Sequence, residues 1–184
     1  MQSGRSCVTG CANNASMEIV AATPEHYAAI ADLNRTAFGS DAEGTLIARL
    51  RDDGLVLIEC AALDAGGLIG HILFSRLDVE IDGHKVSSAT LAPMAISADR
   101  QRQGVGSRLV QDGLGELRSA GCKAVIVLGH PGYYRRFGFS AALAAKLNAP
   151  FRGEAFMALA LLPGALDGHA GSVAYPDAFR IVRN

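Results

Sequence analysis

Leu91-Ala92-Pro93-Met94-Ala95-Ile96-Ser97-Ala98-Asp99-Arg100-Gln101-Arg102-Gln103-Gly104-Val105-Gly106-Ser107 begins the stretch that decides the fold, and the stretch runs on to Gly138-Phe139. The apolar run Leu91 to Ile96 reads as a strand. A polar turn carries Gln101 to Gly106. A helical pattern follows, with apolar residues at Val105, Leu109, Val110, Leu114 and Leu117, and Gly121 is its stop. The apolar run Ala124 to Leu128 reads as a buried strand. The unit is strand, glycine turn, helix, strand. Gly104 and Gly106 lack Cβ atoms where the helix begins, so backbone can approach a ligand closely. The first N–H groups of a helix have no internal partner and lie at the positive end of its dipole, which suits an anion such as phosphate. Two other glycine-loop readings fail on spacing. A phosphate-binding Walker loop needs a lysine followed by serine or threonine, and no such pair occurs. A dinucleotide loop needs a third glycine where this chain has Leu109.

The whole constellation is more specific than its glycines. Gln101-x-x-Gly104-x-Gly106 after an apolar strand resembles the pyrophosphate loop of the GNAT acetyltransferase superfamily. Tyr134-Arg135-Arg136-Phe137-Gly138-Phe139 matches its second signature, a tyrosine four residues before Gly-Phe. The longer string from Val127-Leu128-Gly129-His130-Pro131 through Tyr133-Tyr134 resembles the YhbS-like branch, and the likeness extends loosely from Met17 to Phe179. That branch has aspartate where this chain has His130, a departure that bears on substrate choice.

The resemblance implies an α/β (α+β) fold, a mixed, largely antiparallel sheet with helices on both faces. It implies an acyl-CoA-dependent N-acyltransferase, with acetyl-CoA as cosubstrate and a small-molecule or protein amine as acceptor. Gln101, Arg102, Gln103, Gly104, Val105, Gly106 and Ser107 would form the pyrophosphate loop. Backbone groups of Met94, Ala95 and Ile96 would pair with the pantetheine arm. One of those N–H groups could polarise the thioester carbonyl. Tyr134 would protonate the leaving thiolate as general acid. Tyr133 is either packing or a cofactor-side contact. The general base stays open between His130, Glu43 and a water chain; an unperturbed histidine titrates near pH 6.5. Glu43 would lie near the acceptor wall, or simply favour a helix dipole. Family members often form homodimers. The rival readings are a non-catalytic acyl-CoA-binding sensor and an interaction domain with no CoA affinity.

The chain has 184 residues, enough for one sizeable core. Half are apolar, 19% are charged and the net charge is −1, so neither a basic nucleic-acid footprint nor a membrane span is implied. The expected location is cytoplasmic. No nucleophile elbow, Ser-His-Asp order or metal-binding His/Cys motif occurs, so no metal is expected. Cys60 and Cys122 read as free buried thiols. Cys7 and Cys11 lie in a polar stretch without further ligands nearby. Residues 1–16 read as a disordered tail ahead of a single domain over 17–184. Val8 to Cys11 superficially resembles a lipoprotein cleavage box, but no apolar segment precedes it.

The remaining elements follow from patterning. Glu18 to Ala21 is a strand. Thr23-Pro24 starts a helix that runs to Phe38, and a second helix spans Ala42 to Arg51. Leu55 to Leu63 and Leu68 to Asp78 form a hairpin about Asp64 to Gly67. Asp82-Gly83 turns the Val79 to Ile81 segment into the strand Ser87 to Ile96. Pro93 predicts an edge or a bulge there. His71 reads as a satisfied structural histidine. The chain ends as a helix (Ala141 to Leu147), a strand (Ala155 to Leu162) and a strand near Ser172 to Tyr175, a region with no nameable chemistry.

Overall fold

The structure, a computed structural model, describes residues 17–183; the tail expected over 1–16, with Cys7 and Cys11, lies outside them. The described chain starts with β1 (Glu18–Ala21), α1 (Tyr27–Phe38) and α2 (Ala42–Asp52). Thr23 and Pro24 begin a 3₁₀ turn, not the α-helix itself, and α1 follows at Tyr27. Next come β2 (Val56–Asp64), β3 (Gly67–Ile81), β4 (His84–Ile96), α3 (Val105–Ser119) and β5 (Ala124–Leu128). The chain closes with α4 (Pro131–Tyr134), α5 (Ala141–Ala144), β6 (Leu147–Asn148), β7 (Phe156–Ala160) and β8 (Gly171–Ala174), followed by a 3₁₀ segment at Asp177–Arg183.

The sheet has the order β1-β2-β3-β4-β5-β7, with β8 on β3 and β6 on β8. The β4–β5 and β6–β8 pairings are parallel and the others antiparallel. β3 is one strand of 15 residues, where the sequence suggested two segments. Its first part pairs with β2 and its last four residues pair with β8, so length lets it serve two partners on one edge. The β3–β4 turn is two residues, Asp82 (φ 48) and Gly83 (φ 81), the double positive φ of a type I′ hairpin. The Asp82 carboxylate also accepts the backbone N–H groups of His169 and Ala170, tying the approach to β8 to this hairpin.

Side-chain alternation along β3 separates the two faces. Ile72 and Phe74 pack with Leu109, Val110 and Leu114 of α3. Leu73 between them packs with Ile30, Leu46, Ile47 and Leu50 of α1 and α2. Helices therefore cover both faces of a mostly antiparallel sheet. A Cβ on Gly113 would stand 2.3 Å from Cε2 of Phe74, so this glycine lets α3 seat closely on the sheet. Cys60 and Cys122 are buried and free; burial pushes the Cys60 thiol up to about 12.

Two features of β4 set up the site. Its pairing with β5 runs from Ser88↔Ala124 to Leu91↔Val127 and stops, while β4 continues against β3 as far as Ile96. The edge of β4 beyond Leu91 is thus left open on the β5 side. At that point the register against β3 shifts, with Ala92 and Pro93 facing the single residue Leu73. Proline sits in a central strand because it occupies a bulge where no ladder donor is needed. The predicted helix to Leu147 is cut short at Ala144, since Leu147 pairs with Gly171 of β8.

Candidate active site

Two cavities lie side by side along the open edge of β4 and share Phe38 and Met94. The first, of about 570 Å³, is bounded by Met94, Ala95 and Ile96 on one side and by Gln101, Arg102, Gly104, Gly106 and Ser107 on the other. Arg100, Arg136 and Tyr133 complete it. Among the described residues three guanidinium groups and no carboxylate line this groove; Arg100 is paired with Asp64 at 2.8 Å, and Arg102 and Arg136 leave a field that favours an anion. Gly104, at φ 90, is the N-cap of α3, and Arg102 before it takes φ 61. This left-handed backbone turns the first N–H groups of α3 to the groove, where the dipole adds to the arginines.

Tyr133 links the groove to α4. Its hydroxyl lies 2.6 Å from where a Cβ on Gly106 would stand, so glycine at 106 makes room for it. That hydroxyl is buried and has no hydrogen-bond partner among the described residues. Arg136 stacks over the ring, 4.1 Å from its centroid. A buried hydroxyl without such a partner, beside a helix N-terminus and a stacked arginine, is an unmet hydrogen-bonding group at the edge of the groove.

The second cavity, of about 320 Å³, lies beyond the bulge. Its floor is Thr90 to Met94 of β4, and Tyr134 enters from α4. Phe38, Leu46, Phe151, Tyr175, Phe179 and Val182 close the cavity, with Phe179 and Val182 in the same apolar cluster as Leu46 of α2. Glu43, in the first turn of α2, is its one carboxylate among the described residues and accepts a hydrogen bond from Ser40 Oγ at 3.1 Å. Tyr134 is held edge-on by Tyr133 and Phe139, at centroid distances of 5.0 and 5.7 Å. A Cβ on Gly129 would lie 2.3 Å from its Cε2, so the ring rests against bare backbone. Burial pushes the Tyr134 phenol well up, with a smaller contribution from Tyr133.

Residues 18–142 match the acetyltransferase (GNAT) domain family. The chain belongs to the GNAT acetyltransferase family. It is 37% identical over 150 residues to the N-acetyltransferase YhbS of Escherichia coli K12, covering 80% of this chain and 89% of that one. The crystal structure of Escherichia coli YhbS in complex with CoA superposes with a TM-score of 0.84 at 33% identity, over 94% of this chain and 96% of that one. A GNAT family acetyltransferase from Brucella melitensis, in complex with acetyl-CoA, gives a TM-score of 0.74 at 33% identity, over 90% of this chain and 99% of that one. The chain is thus an N-acetyltransferase with the mixed GNAT sheet, similar to the YhbS-like branch.

Within this GNAT frame, most residues singled out from the sequence fall on one of the two cavities. Met94, Ala95, Ile96, Gln101, Arg102, Gly104, Gly106, Ser107 and Tyr133 line the groove, and Tyr134 and Glu43 line the apolar cavity. Three residues do not. Val105 is buried among the side chains of the α3 face. Gln103 turns back, its amide donating to the Asp99 carbonyl at 2.7 Å. His130 is exposed at the N-cap of α4 and lines neither cavity. Sequence reasoning missed Arg100 and Arg136, and it missed the aromatic wall from the C-terminal region. Arg136 lay within the quoted Tyr-Arg-Arg-Phe string; the aromatics look like ordinary core residues until the fold gathers them.

His71 is fully buried behind the α1 wall, as a structural histidine. Asn34 Nδ2 donates to the Ile30 carbonyl (2.8 Å) and to His71 Nδ1 (3.3 Å). That assigns the neutral ring's proton to Nε2, which donates to Glu59 Oε1 at 2.9 Å. Burial is the main reason the His71 pKa is lowered. Burial acts against the Glu59 carboxylate, but hydrogen bonds from His71 and Arg51 outweigh it and hold this pKa below the usual range. Charging His71 would favour Glu59 still further, yet desolvation keeps the imidazole neutral; the carboxylate's charge is balanced by Arg51. Arg51 in turn lies over the Tyr27 ring, 3.4 Å from its centroid. Among the described residues no cluster of potential metal ligands forms, and no helix is long and apolar enough to cross a membrane.

Proposed function

We propose that the chain carries an acetyl group from acetyl-CoA to a primary amine by direct attack, with the cofactor in the arginine-lined groove and the amine in the apolar cavity. The observation that carries this is the junction at Phe38 and Met94, where a cavity suited to a polyanion meets one with a single carboxylate. The groove fits the cofactor by its own chemistry: an anion-favouring helix start, Arg102 and Arg136, and the orphaned Tyr133 hydroxyl. When bound, the thioester supplies the acetyl group. Open backbone positions of Met94 to Ile96 hold the pantetheine arm as a strand edge holds a strand, and orient a donor toward the carbonyl. Glu43 receives the proton of the incoming ammonium, because it lines the cavity where His130 does not. Tyr134, kept protonated by burial, gives its proton to the departing sulfur.

On this reading residues 17–184 act as one cytoplasmic catalytic unit, and family habit favours a homodimer, which light scattering on the purified chain would reveal. Calorimetry with acetyl-CoA is the direct test of function. Native chain should bind, and a chain with bulky residues at both Gly104 and Gly106 should not. Failure of the folded native chain to bind would remove the cofactor assignment.

A further inference from the structure

The apolar cavity says more about the acceptor than that it is an amine. Its charged lining is one carboxylate, Glu43, and no cation among the described residues. Further ammonium groups of a polyamine or an aminoglycoside that entered the cavity would meet no charged partner besides Glu43 among the described residues, at a desolvation cost. The rest of the wall carries a ladder of rings. Phe151 meets Tyr175 edge-on at 5.4 Å between centroids, and Tyr175 meets Phe179 at 5.2 Å. Four large apolar side chains are exposed among the described residues, and two of them, Phe38 at 46% and Leu128 at 48%, stand on this cavity. Exposed apolar groups gathered at a concave site mark a surface that an apolar ligand covers. At about 320 Å³ the cavity is near the lower end of the range for ligand sites, roughly 300–1,000 Å³.

We infer that the acceptor is a compact primary monoamine with an apolar alkyl or arylalkyl body, its ammonium on Glu43 and its body against Phe151, Tyr175, Phe179 and Leu128. This rests on the acetyl-transfer reading above. The step balances without any further reactant. The ammonium gives one proton to Glu43. The free amine nitrogen bonds to the thioester carbonyl carbon, and the carbon–sulfur bond breaks with its electron pair on sulfur. Sulfur takes the Tyr134 proton, and the second proton lost by nitrogen restores Tyr134. The products are an N-alkyl acetamide, free CoA and one proton.

The test uses the full chain, acetyl-CoA and a thiol-release assay. The acceptors are propylamine through hexylamine, phenethylamine, spermidine, kanamycin and Nα-acetyl-lysine amide. For the alkyl series kcat/KM should rise by about four- to tenfold per methylene until the cavity is full. Phenethylamine should match the best of them, with the three polar acceptors far below. Leu128→Asp, a change at a half-exposed position, should lower kcat/KM for hexylamine by about tenfold while leaving acetyl-CoA affinity unchanged. A flat alkyl series would overturn the inference. So would faster turnover of spermidine, kanamycin or the lysine amide, or no turnover of any apolar amine by a chain that binds acetyl-CoA. Each of these leaves the cofactor groove standing, whereas absence of acetyl-CoA binding in calorimetry would overturn the acetyl-transfer reading and this inference together.

Discussion

Tyr134 exposes 8% of its surface, and burial raises its pKa above the ordinary phenol value of 10.0. A group in that state is a weaker acid than a free phenol, but it stays protonated at neutral pH and so has a proton to give when a strongly basic thiolate departs. Tyr134→Phe keeps the ring and its edge contacts, so it should leave the melting temperature nearly unchanged and lower kcat by about 10²–10⁴-fold. Because its phenol is raised, the native pH–rate profile should show no falling limb from this group below its ordinary pKa of 10.0. A limb near pH 8 that disappears in Tyr134→Phe would contradict the assignment. Gly129→Ala should mimic the loss of activity with the tyrosine still present, since the added Cβ would lie 2.3 Å from Cε2 and force the ring to move. The sequence made Tyr134, Gly104 and Gly106 legible because they sit in spaced motifs. It could not show that Gly129 is bare to receive a ring, or that Gly106 is bare to receive Tyr133, since each is a contact across the chain.

At the scale of elements, the site is a product of where β4 loses its β5 neighbour. The strand–loop–helix unit was readable because its apolar periods change from strand to helix around Gly104. The bulge followed from Pro93, but its setting in a central strand needed the register. The C-terminal region was hardest to read. Phe151, Tyr175 and Phe179 come from a loop and chain-end segments, which have no period to betray a shared wall. The strand near Ser172 was legible as β8, but the two-residue β6 exists by pairing with β8, so local propensity alone does not announce it. The loop–α3 junction also supports a sharp prediction. Gly106→Val should abolish measurable acetyl-CoA binding, because its Cβ would meet the Tyr133 hydroxyl at 2.6 Å. Adding Tyr133→Phe to Gly106→Val removes the clashing oxygen and should restore part of the affinity. No rescue would mean that Gly106 serves the ligand directly and not through Tyr133.

For the molecule as a whole, the buried chain Asn34–His71–Glu59–Arg51 joins α1, β3, β2 and α2, and it makes stability depend on pH. His71 has a folded pKa below its ordinary 6.5, and Glu59 one below its ordinary 4.5. In both cases the unfolded chain binds the proton more readily than the folded chain does. Stability is therefore fully present above pH 6.5 and is lost as pH falls, first through His71 and then, below pH 4.5, through Glu59 as well. One proton taken up only on unfolding corresponds to a slope of about 1.4 kcal/mol per pH unit. Urea unfolding of the native chain between pH 7.5 and 5.5 should show part of that slope, and His71→Gln should flatten it while keeping a side chain that can still reach Glu59. An equal slope in the variant would place the pH dependence elsewhere. Glu59→Leu is expected to cost about 3 kcal/mol at neutral pH, because it strands Arg51 and the His71 N–H together. That cost should fall, though not to zero, when Arg51→Leu is added, since the paired replacement leaves no lone charge but still strands the His71 N–H; a strictly additive loss would mean the two residues do not act as a pair.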